Sequence, residues 1–329
     1  MIGENMVRIG IVGTNFISEW FMAGARRTAG RVEPVAVYSR SAERADAFAR
    51  KEGMARGFGD YEAMLDAVDA VYIASPTSAH HAQAMAAIEA GRHVLCEKPL
   101  ANSSVEADRM AEVAAEASKR GIRSMVGHSY RRAPAVSLMK RMYDEGAVGT
   151  LRHIRGLYLQ DWIVDPEFPL VWRLRAADAG TGSLGDIGSH VIDMAQFVTG
   201  QNLVGFSALS ETFVKDRPLP GAYSGLSAGA VSDERGTVDV DDATIILSRT
   251  DAGALATFEA TRFATGRKNF IQLELNGSNG SLLFNFENMN ELLYCEHTGS
   301  AEDGFRRIEA TDASHPYLEA WWPPGHGLG

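Results

Sequence analysis

Residues 93–99 read His-Val-Leu-Cys-Glu-Lys-Pro, an apolar run that ends in a charged pair and is closed by a proline. This pattern is typical of a buried parallel strand whose last residues emerge at the carboxyl edge of a sheet. Ligands of open α/β sheets bind in the crevice beyond that edge. Lys98 is therefore placed where a cation could act on a substrate. The alternative interpretation is a solvated Glu97–Lys98 pair ahead of a turn.

The sequence around this run alternates between short apolar strands and helices. Strands are predicted at residues 7–12, 33–38, 70–74, 93–96 and 123–127, and helices at 16–28, 41–52, 60–67, 78–90 and 103–119. Strands that alternate with helices of this length favour an α/β fold with a doubly wound parallel sheet. We assign it to a first domain at residues 1–125.

The second half of the chain has a different pattern. Extended segments are predicted at residues 151–160, 203–214, 238–249, 253–263, 269–276 and 280–286, several of them joined by glycine-containing turns. One helix is predicted, at residues 188–198. These features favour an α+β domain at residues 126–329, with a large, mostly antiparallel sheet that is open on one face.

Length and charge limit the classes of partner. The chain has 329 residues, enough for about two domains, a formal net charge of −10 and a pI of about 5.4. The acidic balance argues against a broad basic surface for nucleic acid. The sequence has no run of about 18 apolar residues, so no membrane span is expected.

Cellular location follows from the N-terminus and the cysteines. The first residues lack a signal-peptide pattern, because Gly10 to Val12 forms part of an internal strand followed by a polar turn. Cys96 and Cys295 are the only cysteines. Both are interpreted as small hydrophobic residues rather than a disulfide, which suits a reducing, cytoplasmic compartment.

The first predicted strand runs into a glycine turn, residues 10–18, with the sequence Gly-Ile-Val-Gly-Thr-Asn-Phe-Ile-Ser. A dinucleotide-binding turn needs glycine where the chain bends and approaches pyrophosphate, and the amides of the next helix meet the negative charge. Gly13 suits the close approach. Asn15 stands where the pattern prefers a second glycine, and asparagine tolerates a left-handed conformation. An ordinary strand–helix turn is the alternative to a dinucleotide site formed by Gly10, Gly13, Thr14, Asn15, Phe16 and Ile17.

The second predicted strand ends in Ser39 and Arg40, with Arg44 one helical turn further on. An acidic residue at such a tip usually binds the ribose hydroxyls of NAD, whereas an arginine accommodates a 2′-phosphate. Because a hydroxyl and planar guanidinium donors stand there instead of a carboxylate, the sequence favours NADP(H) over NAD(H). The alternative is that Arg40 is merely solvated.

The third predicted strand ends at Ser75, Pro76 and Thr77, at the same edge of the sheet. These residues are expected to border the cofactor, as is Glu97. His80 lies one turn into the following helix, where it could contact the cofactor or could equally cap or pack.

The second half contains residues 182–190, Gly-Ser-Leu-Gly-Asp-Ile-Gly-Ser-His. At a helix start, the spacing of Asp186 and His190 puts both side chains on one face. A histidine titrates near neutrality and can accept a proton from a hydroxyl. No third ligand stands at a convincing spacing for zinc, so no metal is predicted. An N-capping aspartate beside a packed histidine is the alternative.

Three further segments carry aromatic and polar residues that suit a polyhydroxylated ring, with aromatic faces against C–H surfaces and polar groups for the hydroxyls. A buried aromatic core with a polar edge is the alternative. The candidate substrate residues are Tyr130, Gln160, Trp162, Trp172 and Arg173.

Glu97-Lys98-Pro99 after a nucleotide-binding half, followed by Gly185-Asp186-x-x-x-His190, resembles the Gfo/Idh/MocA oxidoreductases, the relatives of glucose–fructose oxidoreductase and inositol dehydrogenase. The resemblance covers nearly the whole chain. Residues 130–132, 158–162, 185–187, 190–194 and 238–242 resemble one branch, the levoglucosan dehydrogenases and related sugar or glycoside 3-dehydrogenases.

The resemblance implies a Rossmann domain, an α/β substrate domain and hydride transfer between a nicotinamide cofactor, NADP or NAD, and a ring carbon of a sugar or cyclitol. Carried over, Lys98 holds and polarises the reacting hydroxyl, His190 is the general acid/base and Asp186 orients the substrate. Tyr130, Gln160 and Trp162 match the substrate-pocket segments. The resemblance also implies a homodimer or homotetramer that assembles through the open sheet.

Two other functions are compatible with these residues. A retained NAD could be recycled during glycoside cleavage, or the chain could be a non-catalytic nucleotide sensor. The chain ends in a Trp-, Pro- and Gly-rich run at residues 321–329, where relatives usually continue into helices. We therefore expect that C-terminal helices are missing from this sequence.

Overall fold

The computed structural model describes residues 6–28, 30–221 and 231–318. The chain divides into two compact units. The first comprises the residues up to 127 together with 171–180 and 219–234, and the second comprises the remainder. Two segments that follow residue 125 thus belong to the first unit. The run 321–329 lies outside the described residues.

The first unit is built on six strands: β1 (Val7–Val12), β2 (Val32–Tyr38), β3 (Arg56–Phe58), β4 (Ala70–Ile73), β5 (His93–Cys96) and β6 (Ser124–Val126). They form a parallel sheet in the order β3-β2-β1-β4-β5-β6. The predicted parallel sheet is confirmed. The sequence did not predict β3, because its three residues contain no apolar run.

Five helices flank this sheet: α1 (Phe16–Ala25), α2 (Ala42–Glu52), α3 (Tyr61–Leu65), α4 (His80–Glu89) and α5 (Ser104–Ser118). Successive strand residues point to opposite faces of a sheet. Ile11 accordingly joins a buried cluster with Met22 of α1 and Phe48 of α2. Its neighbour Val12 belongs to a second cluster with Met64 of α3. Both faces are covered, so the sheet is doubly wound as predicted.

The second unit contains an eight-stranded sheet of β7 (Leu151–Leu159), β8 (Leu203–Glu211), β11 (Ala243–Thr250), β12 (Leu255–Thr261), β13 (Phe270–Gly277), β14 (Gly280–Asn285), β15 (Glu291–Glu296) and β16 (Arg306–Glu309). Their order is β16-β15-β14-β13-β7-β12-β11-β8, and β7 and β12 alone in this sheet pair in parallel. The predicted mostly antiparallel sheet is confirmed. Two further strands, β9 (Asp216–Pro220) and β10 (Val231–Thr237), pair with each other.

Helices α6 (Pro134–Asp144) and α8 (Ser189–Thr199) cover one face of the large sheet. Met139 of α6 and Met194 of α8 pack in one buried cluster with Ile154 and Phe258. The sequence predicted α8 but not α6, which lies in the second predicted domain ahead of its first predicted strand. A four-residue helix, α7 (Ala176–Ala179), belongs to the first unit.

The other face of the large sheet carries exposed apolar side chains, including Leu209 at 81% and Phe206 at 72% exposure, with Ile245 and Leu247 beside them. The expectation of an open face is confirmed.

Both cysteines are free, and Cys96 is buried. Burial raises the pKa of the Cys96 thiol to about 12, and the Glu97 carboxylate adds to this effect. A cysteine with so high a pKa is an unreactive core residue, as predicted. The described part of the chain contains no helix long and apolar enough to cross a membrane. The cytoplasmic location stays a prediction.

Candidate active site

The glycine turn lies where the strand order of the first sheet reverses, between β1 and β4. Nucleotides bind at such a point in open α/β sheets. Gly13 has φ = +112°, and a Cβ atom added to it would lie 3.1 Å from the carbonyl oxygen of Ala74. The position thus demands glycine, both for its backbone conformation and for the close approach. Gly10 lies within β1, where an added Cβ would meet the tip of Met64 at 3.0 Å.

Asn15 does not adopt the left-handed conformation considered from the sequence. Its backbone is extended, with φ = −103°, and it caps helix α1. The Oδ1 atom accepts hydrogen bonds from the Ile17 and Ser18 amides at 3.1 and 3.2 Å, while Nδ2 donates to Ala74 O at 2.6 Å. Asn15 therefore fixes the helix start against the end of β4. Thr14 lies in the turn and Phe16 opens the helix.

The tip of β2 carries the groups expected to face the adenosine ribose. Ser39 is buried, and its hydroxyl accepts a hydrogen bond from the Ser41 amide at 3.4 Å. Arg40 and Arg44 are exposed. The carboxylate in the first turn of α2, Glu43, accepts a hydrogen bond from the Ser41 hydroxyl at 2.7 Å, and this bond lowers its pKa. Two solvent-facing guanidinium groups thus remain at the tip.

His80 packs inside the first unit. Its side chain is 1% exposed, with Nε2 2.9 Å from the carbonyl oxygen of Ser75 and Nδ1 2.9 Å from that of Pro99. Burial lowers its pKa, although the two carbonyl contacts oppose the effect. His80 therefore ties the segment after β4, where Thr77 is also buried, to the segment after β5. Pro76 precedes the short helical turn Thr77–Ala79.

The carboxylate of Glu97 is held by hydrogen bonds within the first unit. Its carboxylate accepts a hydrogen bond from the Tyr72 hydroxyl at 2.6 Å and one from the Lys98 amide at 3.3 Å. Burial raises the pKa of Tyr72 far above its ordinary value, and Glu97 raises it further. Glu97 thus anchors the backbone that presents Lys98 at the carboxyl end of β5.

Trp172 and Arg173 lie in a short helical turn of the first unit. The Arg173 guanidinium stands 4.4 Å from the centre of the Trp172 ring and 5.5 Å from that of Phe16. Both residues were predicted for the substrate, together with residues of the second unit. The structure places them in the first unit, close to Phe16 after the glycine turn, and their role toward the substrate stays a prediction.

In the second unit, Asp186 lies in a π-helical turn, Leu184–Gly188, that leads directly into α8. Asp241 holds the start of this turn. It accepts hydrogen bonds from the Gly182 and Leu184 amides at 2.7 and 2.8 Å and from the Ser183 hydroxyl at 2.6 Å. Burial raises the pKa of Asp241, but these hydrogen bonds outweigh the effect, and the pKa is lowered overall.

Arg262 lies behind Asp186, directly after β12. Its side chain is 0% exposed, and a guanidinium nitrogen lies 3.6 Å from Asp186 Oδ2. Another donates to the carbonyl oxygen of Asp241 at 3.1 Å, and the guanidinium carbon is 5.6 Å from the centre of the Trp162 ring. A buried cation thus faces the Asp186 carboxylate. Sequence reasoning missed Arg262, although a charged residue at the end of an apolar strand was a visible signal.

His190 is 8% exposed and surrounded by rings. The ring centres of Tyr130, His128 and Tyr158 lie 4.8, 5.6 and 6.0 Å from its own. Asp193, one helical turn further along α8, pairs with Arg131 and lies 3.7 Å from a nitrogen of His128. His128 and Asp193 were not predicted as site residues.

A row of hydrogen bonds connects Tyr130 to Gln160 and Trp162. The Trp162 indole donates to Gln160 Oε1 at 3.0 Å, and Gln160 Nε2 donates to Asn269 Oδ1 at 2.8 Å. Asn269 also contacts the hydroxyls of Tyr158 and Tyr130 at 2.7 and 3.3 Å. The structure therefore links the predicted residues of this unit: Asp186, His190, Tyr130, Gln160 and Trp162. Asn269, at the centre of the row, was not predicted.

Comparison with known proteins identifies the family. Residues 7–128 match the Gfo/Idh/MocA oxidoreductase family with its NAD-binding Rossmann fold, and residues 136–283 match a Gfo/Idh/MocA C-terminal domain. The chain is 40% identical to levoglucosan dehydrogenase from Pseudarthrobacter phenanthrenivorans, over 85% of this chain and 72% of that protein. It is 33% identical to 1,5-anhydro-D-fructose reductase from Ensifer adhaerens, over 84% and 75%.

A solved structure with the same architecture is a levoglucosan dehydrogenase in complex with NADH and levoglucosan. It superimposes with a TM-score of 0.86 at 36% identity, covering 98% of this chain and 85% of that one. On these matches, the chain belongs to the Gfo/Idh/MocA family of oxidoreductases, and residues 7–128 are the family's NAD-binding Rossmann domain.

Proposed function

We propose that this chain is a nicotinamide-dependent dehydrogenase that oxidises a ring hydroxyl of a cyclic sugar, anhydrosugar, glycoside or cyclitol. The observation that carries the proposal is the hydrogen-bonded row of Tyr130, Gln160 and Trp162 beside His190. Such a mixture of aromatic faces and amide groups suits a polyhydroxylated ring. Relatives named for levoglucosan, 1,5-anhydro-D-fructose and scyllo-inositol support this substrate class.

The first unit fits a dinucleotide. A side chain at Gly13 would occupy the narrow space between the glycine turn and the end of β4. Helix α1 begins directly after this turn. When bound, the nicotinamide supplies the acceptor of a hydride. The residues proposed to hold the cofactor are Gly10, Gly13, Thr14, Asn15, Phe16, Ile17, Ser39, Arg40, Arg44, Ser75, Pro76, Thr77, His80, Glu97 and Lys98.

Three side chains are proposed to act on the substrate. His190 takes the proton of the reacting hydroxyl. Lys98 stabilises the alkoxide that develops on the same oxygen. Asp186, paired with Arg262, orients the ring by accepting a hydrogen bond from a hydroxyl.

We propose NADP(H) rather than NAD(H) as the preferred cofactor, because exposed Arg40 and Arg44 stand at the β2 tip. The Arg40→Ala variant should lower kcat/KM for NADP⁺ by about tenfold, the effect of one hydrogen bond to a charged phosphate, and leave that for NAD⁺ nearly unchanged. Steady-state kinetics with both cofactors measure this, and Arg50→Ala in α2 is the matched control. Equal losses with both cofactors would contradict the preference.

The function is tested by mixing purified protein with NADP⁺ or NAD⁺ and a panel of pyranoses, anhydrosugars, glycosides and cyclitols. Growth of the absorbance band of reduced nicotinamide is expected with at least one of them. Glycoside cleavage without net reduced cofactor would favour the retained-NAD reaction instead. Tight cofactor binding without turnover on any sugar would favour a nucleotide sensor.

We also propose that copies of the chain associate through the open sheet face, as a homodimer or homotetramer. Exposed apolar side chains of this size and number are typical of interaction surfaces. Light scattering during gel filtration should give a molar mass of two or four chains. Replacing Leu209 and Leu247 by lysine should lower that mass, and an unchanged mass would place the interface elsewhere.

A further inference from the structure

In the row of hydrogen bonds near His190, one donor determines which group donates and which accepts in every other bond. The Trp162 indole nitrogen carries a hydrogen and has no acceptor capacity. It lies 3.0 Å from Gln160 Oε1, so the amide oxygen of Gln160 must face the indole. The amide nitrogen of Gln160 is consequently turned toward Asn269. The orientation of this amide is thus set by its hydrogen-bond partner.

The orientation of Gln160 in turn determines the orientation of the Asn269 amide. Gln160 Nε2 donates to Asn269 Oδ1 at 2.8 Å, so this atom of Asn269 must be its carbonyl oxygen. The same oxygen accepts the hydroxyl hydrogen of Tyr158 at 2.7 Å. Asn269 Nδ2 faces Tyr130 and donates to the phenol oxygen at 3.3 Å.

Tyr130 and Tyr158 complete a closed cycle of hydrogen bonds with Asn269. Their hydroxyl oxygens are 2.9 Å apart, and either could donate in isolation. Because Tyr158 already donates its only hydroxyl hydrogen to Asn269, the hydrogen between the tyrosines belongs to Tyr130. Burial raises the pKa of Tyr158 far above its ordinary value, and its bond with Tyr130 adds to this effect, so Tyr158 keeps its hydrogen. Tyr130 is therefore left with a lone pair and no free hydrogen.

We propose that Asn269 is a positioning residue that makes Tyr130 an obligate acceptor, so that the site selects a ligand hydroxyl able to donate a hydrogen bond to the Tyr130 oxygen. The inference rests on the proposed function, since the ligand is taken to be a ring hydroxyl of the sugar. Tyr130 lies edge-to-face with His190, 4.8 Å between ring centres, so this hydroxyl belongs to the part of the ring nearest the proposed base.

The role of Asn269 is tested by Asn269→Leu, which keeps a similar volume and removes both polar atoms. We expect kcat/KM for the sugar to fall by about tenfold, mainly through KM, with the Kd for the reduced cofactor unchanged. Asn269 acts through Tyr130, so adding Asn269→Leu to Tyr130→Phe should cost little more than Tyr130→Phe alone. Fully additive losses would overturn the positioning role.

Two further variants control this experiment. Asn276→Leu changes an asparagine of β13, the strand that begins directly after Asn269. Its side-chain amide donates hydrogen bonds to Glu274 and Ser281, and this variant should leave KM unchanged. If Asn269→Leu does not fold, Asn269→Asp retains the acceptor for Tyr158 and Gln160 but loses the donor to Tyr130. It should then raise KM less than Asn269→Ala does, whereas equal effects would overturn the proposal.

The acceptor role of Tyr130 is tested with deoxy and deoxyfluoro analogues of a sugar that the wild type oxidises. Fluorine can weakly accept a hydrogen bond but cannot donate one. At one ring position, both analogues should lose about tenfold in kcat/KM, and Tyr130→Phe should abolish this discrimination. If the fluoro analogue resembles the parent sugar at every position, Tyr130 donates and the proposal is overturned while the dehydrogenase function stands. If the wild type oxidises no parent sugar, the proposed function fails and the inference fails with it.

Discussion

Replacing Lys98 by alanine is expected to lower kcat by about 10²- to 10³-fold, the effect of removing one preorganised donor from a developing oxyanion. The chain presents Lys98 immediately after the buried end of β5, on a backbone that Glu97 and His80 hold in place. These anchors do not depend on the Lys98 side chain beyond its Cβ atom. The variant should therefore keep its melting temperature and lose turnover, measured by steady-state kinetics with saturating sugar.

Lys119→Ala is the matched control for this prediction. Lys119 is exposed beyond the end of α5 and pairs with Glu116 on the surface. Its loss should change neither kcat nor stability, because exposed pairs contribute little. A Lys98→Ala protein with near wild-type kcat would remove Lys98 from the mechanism.

The variant His190→Asn is expected to lower kcat by about 10²- to 10⁴-fold, the range for the loss of a general base. Asparagine retains a polar group in a position that is nearly buried, but it cannot take up a proton near neutral pH. Solvent hydroxide can partly replace the missing base, so the residual rate of this variant should rise with pH. The residual rate of Lys98→Ala should rise less, because hydroxide does not replace a cation.

His153→Asn controls for the loss of a histidine from the same unit, since His153 lies in β7 away from the ring cluster. It should keep wild-type kinetics. A His190→Asn protein that melts at the wild-type temperature and retains wild-type turnover would show that His190 is a packed core residue.

The first unit follows closely from its sequence because the signals are local. Apolar runs predict β1, β4 and β5, and the helix caps Ser41 and Asp60 accept amide hydrogen bonds where expected. Asn15 marks where local reasoning fails. Its extended backbone is that of a helix N-cap, a role typical of asparagine that the comparison with a glycine pattern obscured. Its bond to Ala74, 59 residues away, has no signal near the glycine turn.

The second unit was less predictable for the same reason. Asp186 and His190 are close in sequence and were found by their spacing. The side chains that support them, Asp241, Arg262 and Asn269, lie within predicted strands, and no local pattern shows which residues they contact. Asp241 holds its turn from 57 residues away or more, and Asn269 reaches Tyr130 across 139. Only the pairing of distant strands brings these groups together.

Transfer of deuterium from a sugar deuterated at all its ring carbons to the nicotinamide ring tests the central claim most directly. The protein is incubated with that sugar and NADP⁺ or NAD⁺, and the reduced cofactor is analysed by mass spectrometry. We expect one deuterium on each nicotinamide reduced, and transfer by His190→Asn that is slower by about 10²- to 10⁴-fold at the same enzyme concentration. Reduced cofactor without deuterium, or no transfer from any deuterated sugar of the panel, would contradict it.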